Sequence, residues 1–257
     1  MTFGLIGYPL SHSFSRGYFT EKFAELGLAP THRYLNFEMP EVTELDRVLR
    51  DHPDLRGLNV TIPHKRAVLD RLDALDPAAE RIGAVNTILV RDGKLTGYNT
   101  DYLGFSRDLV TKLTGTNWGA DAGAVKHKMA GRRALVLGTG GAALAVREAL
   151  TALGFTVLFV SRLPDAGQIS YLDVSEETIA DHLLVVNTTP LGMSPRVDAK
   201  PNIPYAALTP AHFCYDIVYN PAETAFMRAA AARGAGTANG LGMLHGQAEA
   251  AWEIWRK

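Results

Sequence analysis

Lys65 closes the stretch Asn59-Val60-Thr61-Ile62-Pro63-His64-Lys65, and Asp101 closes Gly97-Tyr98-Asn99-Thr100-Asp101. A single ammonium and a single carboxylate, each preceded by amides and hydroxyls, suit a polyhydroxylated substrate at which one proton must move. Asn86 and Thr87, in Gly83-Ala84-Val85-Asn86-Thr87, add a further amide and hydroxyl. Pro63 would stop the strand before it, leaving Lys65 at the C-terminal lip, where ligands gather in α/β folds. A lone lysine is usually a solvated charge; the dense hydrogen-bonding groups before this one set it apart. Nearer the N-terminus, Gly7-Tyr8-Pro9-Leu10-Ser11-His12-Ser13-Phe14-Ser15 places hydroxyls at Ser13 and Ser15 just before a helical pattern. Such hydroxyls, with the free N–H groups of a helix start, either bind a carboxylate or cap the helix. His12 reads as structural rather than as a base. None of these clusters has the spacing of a metal-ligand set, so no metal is expected.

A second kind of chemistry is implied by Gly138-Thr139-Gly140-Gly141-Ala142-Ala143. This G-x-G-x-x-A run follows an apolar strand pattern and opens an alanine-rich helix, the context in which it marks a dinucleotide site. A pyrophosphate must approach backbone N–H groups at a helix start, and side chains would block it. The bland reading is a glycine turn that merely packs a helix on a sheet. The next strand ends in Ser161-Arg162 rather than in an acidic residue. An acid would hold the ribose hydroxyls of NAD, whereas an arginine suits the 2′-phosphate of NADP, so NADP(H) is the expected cofactor.

The elements that must position these groups alternate between short apolar runs and amphipathic stretches, the pattern of an α/β protein. Strands are predicted over residues 3–7, 32–38, 58–62, 85–90 and 94–98, and helices over 14–26, 42–50 and 103–113. Asp92-Gly93 between the last two strands signals a hairpin. A polar stretch over 114–131 separates this half from a βαβ pattern at 133–137, 144–153 and 156–160. Residues 161–173 are too few for a full crossover helix, so a loop is expected there. Strands follow at 183–187 and 213–218, and helices at 223–233 and 244–255.

The 257 residues, 47% hydrophobic and 21% charged, are ordinary globular composition and long enough for one large or two small domains. Twenty-six Lys and Arg against 27 Asp and Glu leave a net charge of -1, which gives no basic excess for nucleic acid. Cys214 is the single cysteine, so no intrachain disulfide can form, and its apolar surroundings predict a buried, inert thiol. The first residues carry no basic leader, and no apolar run reaches the roughly 18 residues of a membrane span. A cytoplasmic protein without a membrane partner is expected, as a monomer or homodimer.

Taken in order, these stretches resemble the shikimate dehydrogenase family. The resemblance continues through Asn-Thr-Thr-Pro-Leu-Gly-Met at 187–193, Asp-Ile-Val-Tyr-Asn-Pro at 216–221 and Gly-Leu-Gly-Met-Leu-His-Gly-Gln at 240–247. It implies an α/β chain of two domains: an N-terminal α/β substrate domain plus a Rossmann-type dinucleotide-binding domain, with a cleft between. Residues 1–102 and 238–257 would form the substrate-binding catalytic domain and 103–237 the NADP-binding one. The implied activity is reversible NADPH-dependent reduction of 3-dehydroshikimate to shikimate. Lys65 and Asp101 would be the catalytic pair: a neighbouring carboxylate favours a charged amine and holds it in position. Ser13, Ser15 and Tyr219 would hold the substrate carboxylate; Asn59, Thr61, Asn86 and Gln247 would meet the rest of the ring. Gly138, Thr139, Gly140, Gly141, Ala142, Ser161, Arg162 and Thr188 would bind the cofactor, with Ile217, Gly240 and Met243 lining the nicotinamide site. Two stretches depart from the family pattern. Arg16-Gly17-Tyr18-Phe19 replaces the Pro, and the His a few residues on, that many relatives carry, leaving Arg16 either on the helix surface or beside the carboxylate. Ser161-Arg162-Leu163 offers one basic residue where relatives usually have two. The rival readings are a quinate/shikimate dehydrogenase with relaxed cofactor use and a non-catalytic NADPH-binding regulator.

Overall fold

The computed structural model describes residues 1–10 and 13–257, so His12 lies outside the described residues. The chain divides into two compact units, Met1–Thr100 with Ala248–Lys257, and Asp101–Gln247.

The strands of the first unit are β1 (Thr2–Gly7), β2 (Arg33–Glu38), β3 (Leu55–Val60), β4 (Ala74–Leu75), β5 (Thr87–Arg91) and β6 (Lys94–Tyr98). They form one sheet in the order β2-β1-β3-β5-β6-β4. The sheet is mixed: β1 runs parallel to β2 and β3, while β5 is antiparallel to both β3 and β6. Asp92 and Gly93 turn the β5–β6 hairpin with φ of 52° and 74°. Two successive left-handed residues match the strand twist, which is why Asp-Gly serves there. The helices are α1 (Phe14–Glu25), α2 (Leu45–Asp51), α3 (His64–Ala67) and α4 (Pro77–Ile82). From α1, Phe19 and Phe23 bury against Phe3, Tyr34, Trp252 and Trp255. Each such ring contributes roughly 1.5–3 kcal/mol by leaving water. Gly57 is required at its place because the Trp255 indole lies directly on its Cα. The Trp255 ring is oriented there by donating to the Ile88 carbonyl at 3.0 Å. Tyr18 and Lys22 both bond Glu249, tying α1 to the C-terminal segment.

The second unit contains α5 (Asp101–Leu113), α6 (Ala122–Met129), β7 (Arg133–Leu137), α7 (Gly141–Ala152), β8 (Thr156–Ser161), β9 (Gln168–Ser170) and α8 (Glu176–Asp181). It continues with β10 (Leu184–Asn187), β11 (Phe213–Asp216), α9 (Ala225–Ala231), β12 (Gly236–Ala238) and α10 (Leu241–Trp255), whose residues from Ala248 on belong to the first unit. Its strands are all parallel, in the order β12-β11-β10-β7-β8-β9. Alternate residues of the central strands enter two separate cores. Ala134, Val136, Val186 and Tyr215 pack with α5, α6 and α7, while Leu135, Leu137, Val185 and Cys214 pack with α8 and α9. A parallel sheet covered on both faces explains the near-continuous apolar runs. Burial pushes the Cys214 thiol up to about 12, in keeping with the expected inert cysteine.

Helix α6 falls within the stretch read as a polar separator. It is capped by Asp121, whose side chain accepts from the Ala124 N–H at 2.9 Å, and it buries only Val125 and Met129. Two apolar anchors in two turns are too few for periodicity to reveal. Between β8 and β9 the chain makes a loop, as the spacing predicted. Among the described residues no helix is long and apolar enough to cross a membrane.

Candidate active site

In the first unit, the predicted polar residues gather at the C-terminal ends of β1, β3 and β6 and the start of β5. The Thr61 N–H donates to the Ile6 carbonyl at 2.9 Å, and the Val60 N–H to the Asn86 carbonyl at 2.8 Å. Lys65, half-buried in the single turn of α3, accepts the Val85 N–H on its carbonyl at 2.8 Å. This backbone lacing fixes Thr61, Lys65 and Asn86 on one rim. The adjoining His64 is buried and donates from Nε2 to the Met39 carbonyl at 2.7 Å, a structural bond that anchors the turn.

Below that rim runs a buried hydrogen-bonded chain. The Tyr34 hydroxyl donates to Asn59 Oδ1 at 2.8 Å, and Asn59 Nδ2 donates to the Asn86 carbonyl and Thr87 Oγ1 at 3.4 and 3.3 Å. Asn86 Oδ1 in turn accepts the Thr100 N–H at 2.6 Å. Burial raises the Tyr34 pKa strongly, and a hydrogen bond with Ser15 opposes it, so Ser15 joins the same chain. Ser13 stands at the N-cap of α1 but makes no capping bond, and its buried Oγ has no partner among the described residues. The hydroxyl is therefore not spent on capping the helix. Ser13 and the exposed Arg16 line one open recess of about 470 Å3, with Leu10, Thr20, Glu21 and Asn36.

In the second unit, α5 and α10 cross at glycine. A side chain on Gly104 would strike the Met243 carbonyl and the Gln247 backbone, and one on Gly246 would lie 3.0 Å from the Gly104 Cα. This close crossing sets the first turn of α5, with the buried Asp101, against the part of α10 that carries Met243 and Gln247. Gly240 is pinned too, because a Cβ there would overlap the Ile217 carbonyl. Tyr215 donates to Asp108 at 2.6 Å beneath the start of α10.

The glycine turn lies between β7 and α7. Gly138 has a φ of 104°, and a Cβ there would come 2.9 Å from Thr188 Oγ1. Gly140 and Gly141 are different: an added Cβ on either meets nothing within 4 Å. Open space over backbone N–H groups at the start of a long helix is the cradle a pyrophosphate needs, and the residues present fit a dinucleotide. Thr139 is exposed beside them and Ala142 half-buried. Thr188 is held by its hydroxyl, which donates to the Leu137 carbonyl at 2.7 Å. At the end of β8, Ser161 is buried and its hydroxyl bonds Leu163 N and O, while Arg162 is exposed. Tyr219 is exposed on the segment after β11.

Several residues without a predicted role hold these groups. Tyr34 lies within β2 with its ring buried in the core. Asn187 and Asp216 end β10 and β11 in the same register, and Asp216 is fully buried with Thr224 donating to it at 2.6 Å. Both open polar stretches of the sequence, at 187–193 and 216–221, but only the sheet register pairs them. Among the described residues no three His, Cys, Asp or Glu side chains could hold a metal ion.

A parallel sheet with an open glycine turn at its first strand–helix junction makes the second unit a Rossmann-type dinucleotide-binding domain. Residues 5–88 match the family described as the shikimate dehydrogenase substrate binding domain. Over 98% of its length the chain is 37% identical to a shikimate dehydrogenase (NADP(+)) of Desulforamulus reducens, covering 88% of that protein. The structure of a shikimate 5-dehydrogenase from Thermus thermophilus with NADP(H) and shikimate superposes with a TM-score of 0.82 at 32% identity, over 99% of this chain and 93% of that one. One from Listeria monocytogenes, with shikimate and NAD, gives 0.84 at 32% identity, over 99% and 91%. The chain belongs to the shikimate dehydrogenase family.

Proposed function

We propose that the protein catalyses the reversible NADPH-dependent reduction of 3-dehydroshikimate to shikimate, a step toward chorismate and the aromatic amino acids, in the cytoplasm. The observation that carries this reading is 37% identity, over nearly the whole chain, to an NADP(+) shikimate dehydrogenase. The polar rim of the first unit supports it, since the amides and hydroxyls there suit a polyol ring. When bound, NADPH supplies the hydride that adds to the C3 carbonyl carbon. Lys65 gives the proton to the carbonyl oxygen, and Asp101 is its positioning counter-charge. Ser13 and Ser15, with Tyr219, hold the substrate carboxylate, and the unpartnered Ser13 Oγ is a donor that such a group would satisfy. Thr61, Asn86 and Gln247 bond the ring hydroxyls, with Asn59 set beneath them by Tyr34. Gly138, Thr139, Gly140, Gly141 and Ala142 leave the α7 N-terminus open to the pyrophosphate. Ser161 shapes the loop that presents Arg162 to the 2′-phosphate, and Thr188, Ile217, Gly240 and Met243 frame the nicotinamide end.

The test follows NADP+ reduction by absorbance at saturating shikimate, with quinate and NAD+ as controls. Turnover on shikimate with NADP+ is expected; turnover only on quinate or only with NAD+ would replace this reading. Lys65→Ala is expected to lower kcat by about 100-fold or more with little change in KM. Near-wild-type turnover would remove Lys65 from the reaction.

A further inference from the structure

Asp216 is a fully buried carboxylate that the proposed chemistry does not use. Three segments donate to it: Asn187 Nδ2 from the end of β10 at 3.0 Å, the Val218 N–H at 3.0 Å, and Thr224 Oγ1 before α9 at 2.6 Å. Two of the donors lead to residues of the cofactor site, and the third, Thr224, caps α9 by accepting the Met227 N–H. Asn187 Oδ1 accepts from the Thr189 N–H and hydroxyl at 3.0 and 2.7 Å, which fixes the turn containing Thr188 against Gly138. The Asn187 carbonyl accepts the Ile217 N–H at 3.0 Å, and the Val218 carbonyl accepts the Gly240 N–H at 3.2 Å. One carboxylate thus gathers the turn behind the phosphate cradle, the segment of Ile217 and the entry to α10. Ordinary packing does not call for this, because a buried carboxylate is costly unless several donors meet it.

We propose that Asp216 is a positioning residue for the nicotinamide end of the cofactor, acting through Asn187, Val218 and Thr224 rather than by touching a reactant. The proposal rests on the NADP-dependent reading of the same unit. Removing one donor loosens the clasp without emptying the core, and a small misplacement of the hydride-transferring ring costs rate steeply.

The test uses the full-length enzyme with Thr224→Val, Thr224→Ser and Asn187→Ser. Shikimate oxidation is measured with and without deuterium on the carbon that surrenders hydride, and NADPH affinity by nucleotide fluorescence. Thr224→Val and Asn187→Ser are expected to lower kcat by about tenfold to a hundredfold, raise the isotope effect above wild type, and weaken NADPH binding. Thr224→Ser, which keeps the hydroxyl, is expected to restore all three. Folded Thr224→Val with wild-type kcat and isotope effect would overturn the proposal, as would a loss confined to melting temperature. If Thr224→Val does not fold, Asn187→Ser carries the same test, since it leaves the α9 cap intact. A wild-type enzyme idle on shikimate would sink the functional reading alone, and the NADPH affinities of the series would still decide the role of Asp216.

Discussion

Tyr34→Phe removes one oxygen from the buried chain beneath the substrate rim. The Tyr34 hydroxyl reaches Asn59 Oδ1 at 2.8 Å, whereas the bonds made by Asn59 Nδ2 are long, at 3.4 and 3.3 Å. The lost bond is therefore the main hold on the Asn59 amide, and its carbonyl oxygen is left buried without that donor. Leaving one such group unsatisfied costs about 1–3 kcal/mol. For a chain of this size that lowers the melting temperature by roughly 2–10 °C. The ring stays, stacked on Phe19 with centroids 4.8 Å apart, so no cavity forms. The functional effect falls on the substrate side. Ser15 loses its partner, and Asn86 loses a rigid neighbour, so KM for shikimate is expected to rise about threefold to tenfold, equivalent to roughly 0.7–1.4 kcal/mol. The affinity for NADP+, read separately by fluorescence, stays unchanged, because the chain lies wholly in the first unit. Differential scanning fluorimetry and steady-state kinetics read both effects. An unshifted melting temperature together with an unchanged shikimate KM would refute the view that Tyr34 supports the rim.

Arg162→Ala is expected to raise KM for NADP+ by about tenfold to a hundredfold, the loss of one or two charge-assisted bonds, with little effect on NAD+. Equal losses with both cofactors would take Arg162 away from the 2′-phosphate. Burial pushes the Asp216 carboxyl up to about 6 from 3.8, against the hydrogen bonds that lower it. Its folded form thus holds the proton to higher pH than the unfolded chain, so stability falls as pH rises from about 4 to about 6 and then levels. The fall amounts to roughly 3 kcal/mol at most. Asp216→Asn is expected to flatten this part of the melting-temperature profile, and an unaltered slope would contradict the assignment. Gly140→Ala is expected to fold normally yet weaken NADP(H) binding about tenfold or more, since a methyl there enters open space at a φ of -73°. Gly138→Ala should instead lower the melting temperature, being forced into left-handed backbone beside Thr188. Isothermal titration and thermal melts distinguish the two, and the reverse pattern would show that the turn is merely a packing device.

Much of this arrangement was legible in the residues. The pattern made β1, α1, β7, α7 and the β5–β6 hairpin legible: β1 and β7 are near-continuous apolar runs, α1 and α7 bury residues three or four apart, and the hairpin turns on Asp-Gly. The short elements β4, β9, β12, α3 and α8 escaped, since two to six residues cannot establish a period. Helix α6 escaped for another reason: its exposed Lys126, His127 and Lys128 outnumber its two buried anchors. At the candidate site, Lys65, Asn86 and Thr61 were visible because a polar residue ending an apolar strand is itself a departure from the pattern. Tyr34 was invisible because a tyrosine inside a strand packs its ring as any core residue does, and only its hydroxyl partner reveals a second task.

The glycines show where sequence inference must stop. The fingerprint treats Gly138, Gly140 and Gly141 as one motif, yet their physical reasons differ. Gly138 is required by a left-handed φ and by crowding from Thr188, a demand of the fold. Gly140 and Gly141 meet no neighbour, so the fold does not require them to lack a side chain. A residue kept bare without a steric reason leaves room for something else, and here that room lies over the N-terminus of α7. Gly240 and Gly104 belong with Gly138, since backbone fills the space that a side chain would take. A single residue type thus appears in two settings, close packing that orders the second unit and open space at the start of α7, and only the neighbours tell which.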